Sequence, residues 1–180
     1  MSRKKKTIMA ANDIERALDR IALQILERNL QTEEIVIVGI HTGGVFLADR
    51  VHNILEKREK ISLPSGSLDI TLYRDDWSMV SQNPIVKKTD IPFEVEGKTL
   101  ILVDDVVFTG RTIRAALDAI MDFGRPNSIQ LAVLIDRGGR ELPIQPDFIG
   151  LEIPVEHDQH IHVLLHEDGD IDEVVLDQAG

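Results

Sequence analysis

Cysteine is absent from all 180 residues, which excludes a disulfide scaffold, thiol catalysis and any cysteine-held metal. Positive charge is also scarce. Twenty Lys and Arg against 31 Asp and Glu leave a formal net charge of -11. That balance argues against the broad basic face on which nucleic-acid binding depends, although a local patch is compatible with a negative sum. No apolar run approaches the length of a membrane span, and the opening MSRKKKTIMAAND lacks the apolar core of a secretion signal. The expectation is a soluble, cytoplasmic protein. Its one basic run, Arg3-Lys4-Lys5-Lys6, makes residues 1–10 read as a flexible basic tail.

What is present is an ordinary globular composition, 43% apolar and 28% charged, long enough for one domain over residues 1–180 with a sizeable core. Helix and strand patterns alternate. Asn12 or Asp13 is suited to cap a helix from about Asp13 to Arg28, with Ile14, Leu18, Ile21 and Ile25 on one stripe that serves either a core or an interface. EIVIVGI (34–40) is a short β-branched run and reads as a buried strand. HTGG (41–44) then leads into a second amphipathic helix, and Leu68 to Tyr73 reads as the next strand.

Asp75 to Pro92 is polar, contains two prolines and is long for a loop in a compact domain, a feature often tied to function. KTLILVDDV, TIRAALDAIMDFG and SIQLAVLIDR continue as strand, helix and strand, with shorter extended pieces DFIGLEI and HIHVLL beyond. This alternation predicts an α/β fold with a parallel sheet covered on both faces.

The chemistry concentrates in ILVDDVVFTGRT (101–112). In an open parallel sheet, ligands bind beyond the carboxyl ends of the strands, where Asp104 and Asp105 stand. Backbone N–H groups of the following loop, the N-terminus of the next helix and the Thr109 and Thr112 hydroxyls form a cradle for a phosphate dianion. Gly110 permits a tight turn there. The aspartates repel phosphate, but they suit ribose hydroxyls or a hydrated Mg2+. The plainer alternative, an acidic strand end beside a helix cap, requires far fewer special residues than D-D-x-x-x-T-G-x-T supplies.

VDDVVFTGRT resembles the phosphoribosyl-diphosphate motif of the type I phosphoribosyltransferases. GIHTGGVFLADR, DITLYRDD, GRPNSIQLAVLIDRGGRELPI and DFIG resemble successive blocks of the PyrR family, pyrimidine-operon regulators that are also uracil phosphoribosyltransferases. The likeness runs from about Ile14 to Ile161. It implies the type I phosphoribosyltransferase fold, a mostly parallel sheet flanked by helices with a small hood, and formation of UMP and diphosphate from uracil and phosphoribosyl diphosphate with Mg2+.

By the same resemblance, Asp104 and Asp105 address the ribose and its metal, mainly through water and the substrate diphosphate. Val106, Val107, Phe108, Thr109, Gly110, Arg111 and Thr112 enclose the 5'-phosphate. Thr42 and Gly43 receive the diphosphate, Tyr73 and Arg74 begin a flap with Arg74 touching the diphosphate, and Arg137 and Ile161 lie near the uracil. Duller readings stand beside these: HTGG as a simple turn, Arg74 in a surface ion pair with Asp75 or Asp76, Arg137 in a surface salt bridge.

Two departures matter. Members of that family read KTRG where this chain reads HTGG, which leaves the diphosphate loop without two cationic groups unless His41 is protonated. Hairpin-RNA-binding members use a basic face on the first helix and the segment after the late Asp-Arg. Here the matching positions are Asp19, Leu23, Gly139, Gln145 and Leu151, with Arg20, Arg28 and Arg140 remaining. Retained catalysis with weak or absent RNA binding is the expectation.

The alternatives are an RNA-binding attenuator without strong catalysis, or a phosphoribosyltransferase for another nucleobase such as a purine. The resemblance also implies a homo-oligomer, a dimer or larger. His157, His160, His162 and His166 crowd ten residues, and His160 and His162 share a strand face at a spacing compatible with zinc, but an exposed edge strand explains them more simply.

Overall fold

A computed structural model of the chain describes residues 4–76, 85–169 and 171–178. Its centre is a five-stranded parallel sheet. The strands are β2 (Ile35–Ile40), β3 (Ser65–Leu68), β4 (Thr99–Val107), β5 (Ser128–Asp136) and β6 (Phe148–Glu152), in the order β3-β2-β4-β5-β6. Alternation along these strands sends side chains to opposite faces. Ile35, Ile37, Ile101 and Val103 join one cluster with Ile14, Ile21 and Ile25 of α1 (Ala11–Arg28) and Leu47 and Val51 of α2 (Gly43–Glu59). Val36, Val38, Leu100 and Leu102 face the other way, against Ile113, Ala116 and Ile120 of α3 (Arg111–Met121). A sheet buried on both faces explains why IVIVGI carries no polar alternation.

The apolar stripe of α1 is therefore core within a single chain: Ile14 and Ile25 are fully buried, which removes the interface option for that face. The helix begins earlier than its Asn and Asp suggest. Asp13 works from inside the first turn, its carboxylate accepting the Ala10 backbone N–H at 3.0 Å.

A second, antiparallel sheet of order β1-β8-β7 forms the hood: β1 (Lys4–Ala10), β7 (His160–Leu164) and β8 (Glu173–Gln178). Lys4 to Ala10 is thus a strand and not the flexible tail its lysines suggest. Its backbone partners lie more than 160 residues away on β8, beyond the reach of local reading. Lys5 and Lys6 are exposed on this edge strand, where lysine charge discourages further strand addition.

The strand expected over Leu68 to Tyr73 ends at Leu68. The Asp69 carboxylate accepts the Thr71 N–H at 2.8 Å and its hydroxyl at 2.5 Å, turning the chain into a short 3-10 turn over Thr71–Tyr73. Much of the long polar loop, residues 77–84, lies outside the described residues. Its return arm runs beside β3, with paired backbone hydrogen bonds of 2.8 Å between Ser67 and Asp90. No helix among the described residues is long and apolar enough to cross a membrane.

The start of α2 is pressed onto the end of β2. A Cβ on Gly39 would lie 2.6 Å from both the Gly44 carbonyl oxygen and the Val45 Cα, with no flexible group able to yield. Gly39→Ala is expected to destabilise the protein by about 2 kcal/mol or more, read as a lowered urea midpoint; an unchanged midpoint would contradict this packing.

Candidate active site

Asp104 and Asp105 sit at the carboxyl end of β4, as the strand pattern predicts. Asp104 is 6% exposed. Its Oδ1 accepts the Asp105 N–H at 2.9 Å, and the Asp105 Oδ1 accepts the Val106 N–H at 2.7 Å. Neither carboxylate has a Lys or Arg ion-pair partner among the described residues. Burial and the neighbouring Asp105 push the Asp104 carboxyl well above the usual carboxylate range, and burial raises Asp105 as well, against the Val106 N–H. The pair, one carboxyl buried and the other half-buried, has no cation beside it among the described residues.

The second glycine of HTGG has a packing reason: a Cβ on Gly44 would lie 2.5 Å from the Val103 carbonyl oxygen, a backbone atom. A Cβ on Gly43 would lie 2.5 Å from the Asp105 Oδ2, the mobile end of a side chain. The loop closes directly on the aspartate strand. Thr42 and Gly43 are thereby brought to the same end of the sheet as the acids.

Beyond Asp105 the chain wraps a cleft of about 340 Å3, lined by Val106, Val107, Phe108, Thr109, Gly110, Arg111 and Thr112 together with Arg74, Asp75, Asp76 and Glu141. Gly110 adopts φ 91°, a left-handed turn that opens α3, and the Thr109 Oγ1 accepts the Arg111 N–H at 3.2 Å. Backbone donors, two threonine hydroxyls and the positive end of an 11-residue helix converge on this space. Arg111 spans it, with Nη1 2.6 Å from Asp75 and Nε 2.7 Å from Glu141. Arg74 lines the cleft but pairs with Asp76 at 2.8 Å, so the surface ion pair forms as well. Tyr73 is directed elsewhere: its hydroxyl donates to the Asp122 carboxylate just beyond α3, anchoring the base of the flap.

At the end of β5, the Arg137 guanidinium stacks 4.0 Å from the Phe108 ring centroid, and its Nη2 donates to the Glu156 carbonyl at 3.1 Å. It makes no salt bridge among the described residues. Burial lowers its pKa, and the buried Nε–H has no acceptor within the described residues. His157 meets Phe108 edge-on at 5.7 Å. Ile161, on β7, packs against the same core cluster as Val106.

The other histidines diverge. His160 and His162 are exposed on the edge strand, and the His162 Nε2 lies 3.0 Å from the Asp177 carboxylate. His166, Glu167 and Asp172 gather their ligand atoms closely enough for a metal, but the Arg50 guanidinium already sits among them, 2.6 Å from Glu167 and 2.7 Å from Asp172.

Several contributors escape local reading. Arg140 donates to Asp136 at 2.5 Å, to the Phe108 carbonyl at 3.0 Å and to the Ile144 carbonyl at 2.8 Å, clamping the loop that follows β4. The Asp136–Arg140 spacing in DRGGR was the available signal. Gly139 has φ 75°, and a Cβ there would lie 2.4 Å from the Phe108 ring. Lys87 reaches the Thr42 hydroxyl at 2.6 Å from a loop that no pattern had tied to HTGG.

This geometry agrees with comparisons to known proteins. The chain matches the phosphoribosyl transferase domain family over residues 5–168. It is 54% identical over 172 residues to the "Bifunctional protein PyrR" of Roseiflexus sp. (strain RS-1), spanning 95% of this chain and 94% of the relative. It is 51% identical over 180 residues to the protein of the same name from Pelotomaculum thermopropionicum, spanning 99% of each.

Among solved structures, a hypoxanthine phosphoribosyl transferase of Trypanosoma cruzi superposes with a TM-score of 0.73 at 18% identity, covering 96% of this chain and 91% of that one. A hypoxanthine phosphoribosyltransferase of Staphylococcus aureus gives 0.69 at 18% identity, covering 94% and 90%. Those likenesses establish the type I phosphoribosyltransferase fold and carry no base preference. With half its residues shared with such relatives along nearly the whole chain, the protein belongs to the PyrR family of phosphoribosyltransferases.

Proposed function

We propose that the chain joins uracil to phosphoribosyl diphosphate, forming UMP and diphosphate. The observation that carries this reading is the uncompensated Asp104–Asp105 pair beside a cradle of N–H and hydroxyl donors. A sugar with hydroxyls on one side and phosphate on the other satisfies both halves at once. Residues 106–112 hold the 5'-phosphate through backbone N–H groups, the Thr109 and Thr112 hydroxyls and the α3 dipole.

The carboxylates accept the ribose 2' and 3' hydroxyls. As the bond from C1 to the diphosphate oxygen breaks, a bond to uracil N1 forms and the N1 proton is released. Negative charge carried by the Asp104–Asp105 pair favours the cationic character that C1 acquires on the way.

Two adjacent, mutually repelling carboxylates, Asp104 buried and Asp105 half-buried, with no cation beside them among the described residues also fit a hydrated Mg2+. When bound, it would neutralise charge on the leaving diphosphate. Arg137, buried beside Phe108 with an unsatisfied Nε–H, is the residue placed to respond to a base carbonyl.

Relatives bearing the word bifunctional raise RNA as a second partner. The arginines left for that role are engaged within the chain: Arg20 donates to the Gly150 carbonyl, Arg28 pairs with Asp147 at 2.6 Å, and Arg140 is held by Asp136. RNA phosphates would have to displace these partners on a protein of net charge -11. Catalysis with weak hairpin binding is the reading retained, in a homo-oligomer of the kind the family resemblance implies.

With Mg2+, phosphoribosyl diphosphate and a panel of bases, diphosphate release is expected with uracil and at least tenfold less with hypoxanthine or guanine; no release with uracil would end this reading. A gel shift with the pyrimidine leader hairpin is expected to show binding lost above about 150 mM salt, and tight, sequence-selective retention there would establish regulation instead.

Asp104→Asn keeps the Oδ1 acceptor for the Asp105 N–H. It is expected to cut diphosphate release about a hundredfold or more while raising the unfolding midpoint of the free protein by about 2–4 °C. The sign follows from the raised carboxyl. As pH rises through the window above 3.8, the unfolded aspartate loses its proton first, so the wild type loses stability relative to the variant. The gap therefore widens with pH, and thermal melts at several pH values would show it.

A further inference from the structure

A diphosphate group brings several negative charges to HTGG, a loop that contains no lysine or arginine, and Asp104 and Asp105 stand directly behind it. Any fixed Lys or Arg charge on the diphosphate, beside that of a metal ion, therefore comes from another part of the chain. Arg74 begins the flap, but it is paired with Asp76. From Asp75 to Val86 the sequence has neither lysine nor arginine, and the next cation is Lys87.

We propose that Lys87 is the diphosphate ligand of this enzyme, with its ammonium supplying the charge that the HTGG loop lacks. This rests on the phosphoribosyl-diphosphate reading above. The Lys87 Nζ lies 2.6 Å from the Thr42 Oγ1, at the head of α2. Its partner there is a neutral hydroxyl, and no carboxylate within the described residues pairs with it. An anion reaching Thr42 therefore meets an ammonium whose charge is not already neutralised.

The backbone places the side chain. Lys87 N–H donates to the Asp69 carboxylate, and the Asp69 N–H in turn donates to the Thr89 hydroxyl at 3.0 Å. The Ser67–Asp90 backbone pair fixes the same arm to β3, and the His41 ring nitrogen lies 3.2 Å from the Lys88 carbonyl oxygen. Asp69 is the residue that ends β3, so one carboxylate stops the strand and seats the lysine arm. Burial opposes ionisation of Asp69, but the donors from Thr71 and Lys87 outweigh it and hold the carboxyl below its usual range. It stays an acceptor at neutral pH.

The test is equilibrium binding by calorimetry with Mg2+, using phosphoribosyl diphosphate, inorganic diphosphate and UMP as separate ligands. Lys87→Met is expected to weaken the first two by about tenfold or more and to leave UMP, which has no diphosphate, within about twofold. Lys87→Arg should restore most of the loss. Lys88→Met removes the same charge one residue away and should stay near wild type, since only the Lys88 carbonyl touches the loop. The Lys87 side chain is exposed, so the variant should fold, and retained UMP binding verifies that directly.

Lys87→Met binding phosphoribosyl diphosphate as tightly as wild type would overturn the assignment. So would a wild type that binds none, which would take the whole site reading with it. A wild type that binds phosphoribosyl diphosphate but does not use uracil, combined with a weakened Lys87→Met, supports the lysine and removes only the base.

Discussion

Two carboxylates held side by side at the end of a buried strand are the constraint around which this structure is arranged. Asp104 and Asp105 lose hydration, repel one another and receive only backbone N–H groups in return. A protein selected for stability alone would not keep them. Their neighbours are shaped accordingly. Gly44 is glycine because the β2–α2 loop closes onto the backbone of the aspartate strand, and Gly39 is glycine so that α2 can start close enough to form that loop.

The hood is tied to the sheet domain by a different kind of interaction. Arg50 on α2 makes paired contacts to both Glu167 and Asp172, and these contacts hold both carboxyls below their usual range. A guanidinium fork matched to two carboxylates is geometrically demanding, and it joins residues more than 115 positions apart. This network also accounts for the acids and the histidine that gather near the end of the chain. They surround an arginine of the same protein, and His162 leans on Asp177.

Charge is handled locally throughout a molecule whose sum is -11. Arg140 is mostly internal and braces the loop after β4 through the Phe108 carbonyl, so a residue that looks free in DRGGR is engaged within the chain. Arg111 bridges the flap and the segment after β5 through Asp75 and Glu141. These exposed pairs contribute little stability, but they set where a phosphate meets competition and where it meets open donors.

By itself the sequence determined the parallel sheet, most of its alternating strands and helices, and the concentration of unusual residues in VDDVVFTGRT. Each depends on local signals: β-branched runs, amphipathic stripes, and acids and threonines at fixed offsets around a turn. The strand misplaced over Leu68 to Tyr73 shows the limit of such signals. Its apolar residues suit a strand, yet a single Asp69 carboxylate captures Thr71 and ends it.

Only the tertiary structure decided that Lys4 to Ala10 is a strand, that the α1 stripe is core, that Gly44 closes on the Val103 carbonyl, and that Lys87 reaches Thr42. All four depend on partners distant in sequence or on close approaches between strand ends. Neither residue type nor spacing records those, because they exist only after the sheet has brought its loops to one edge.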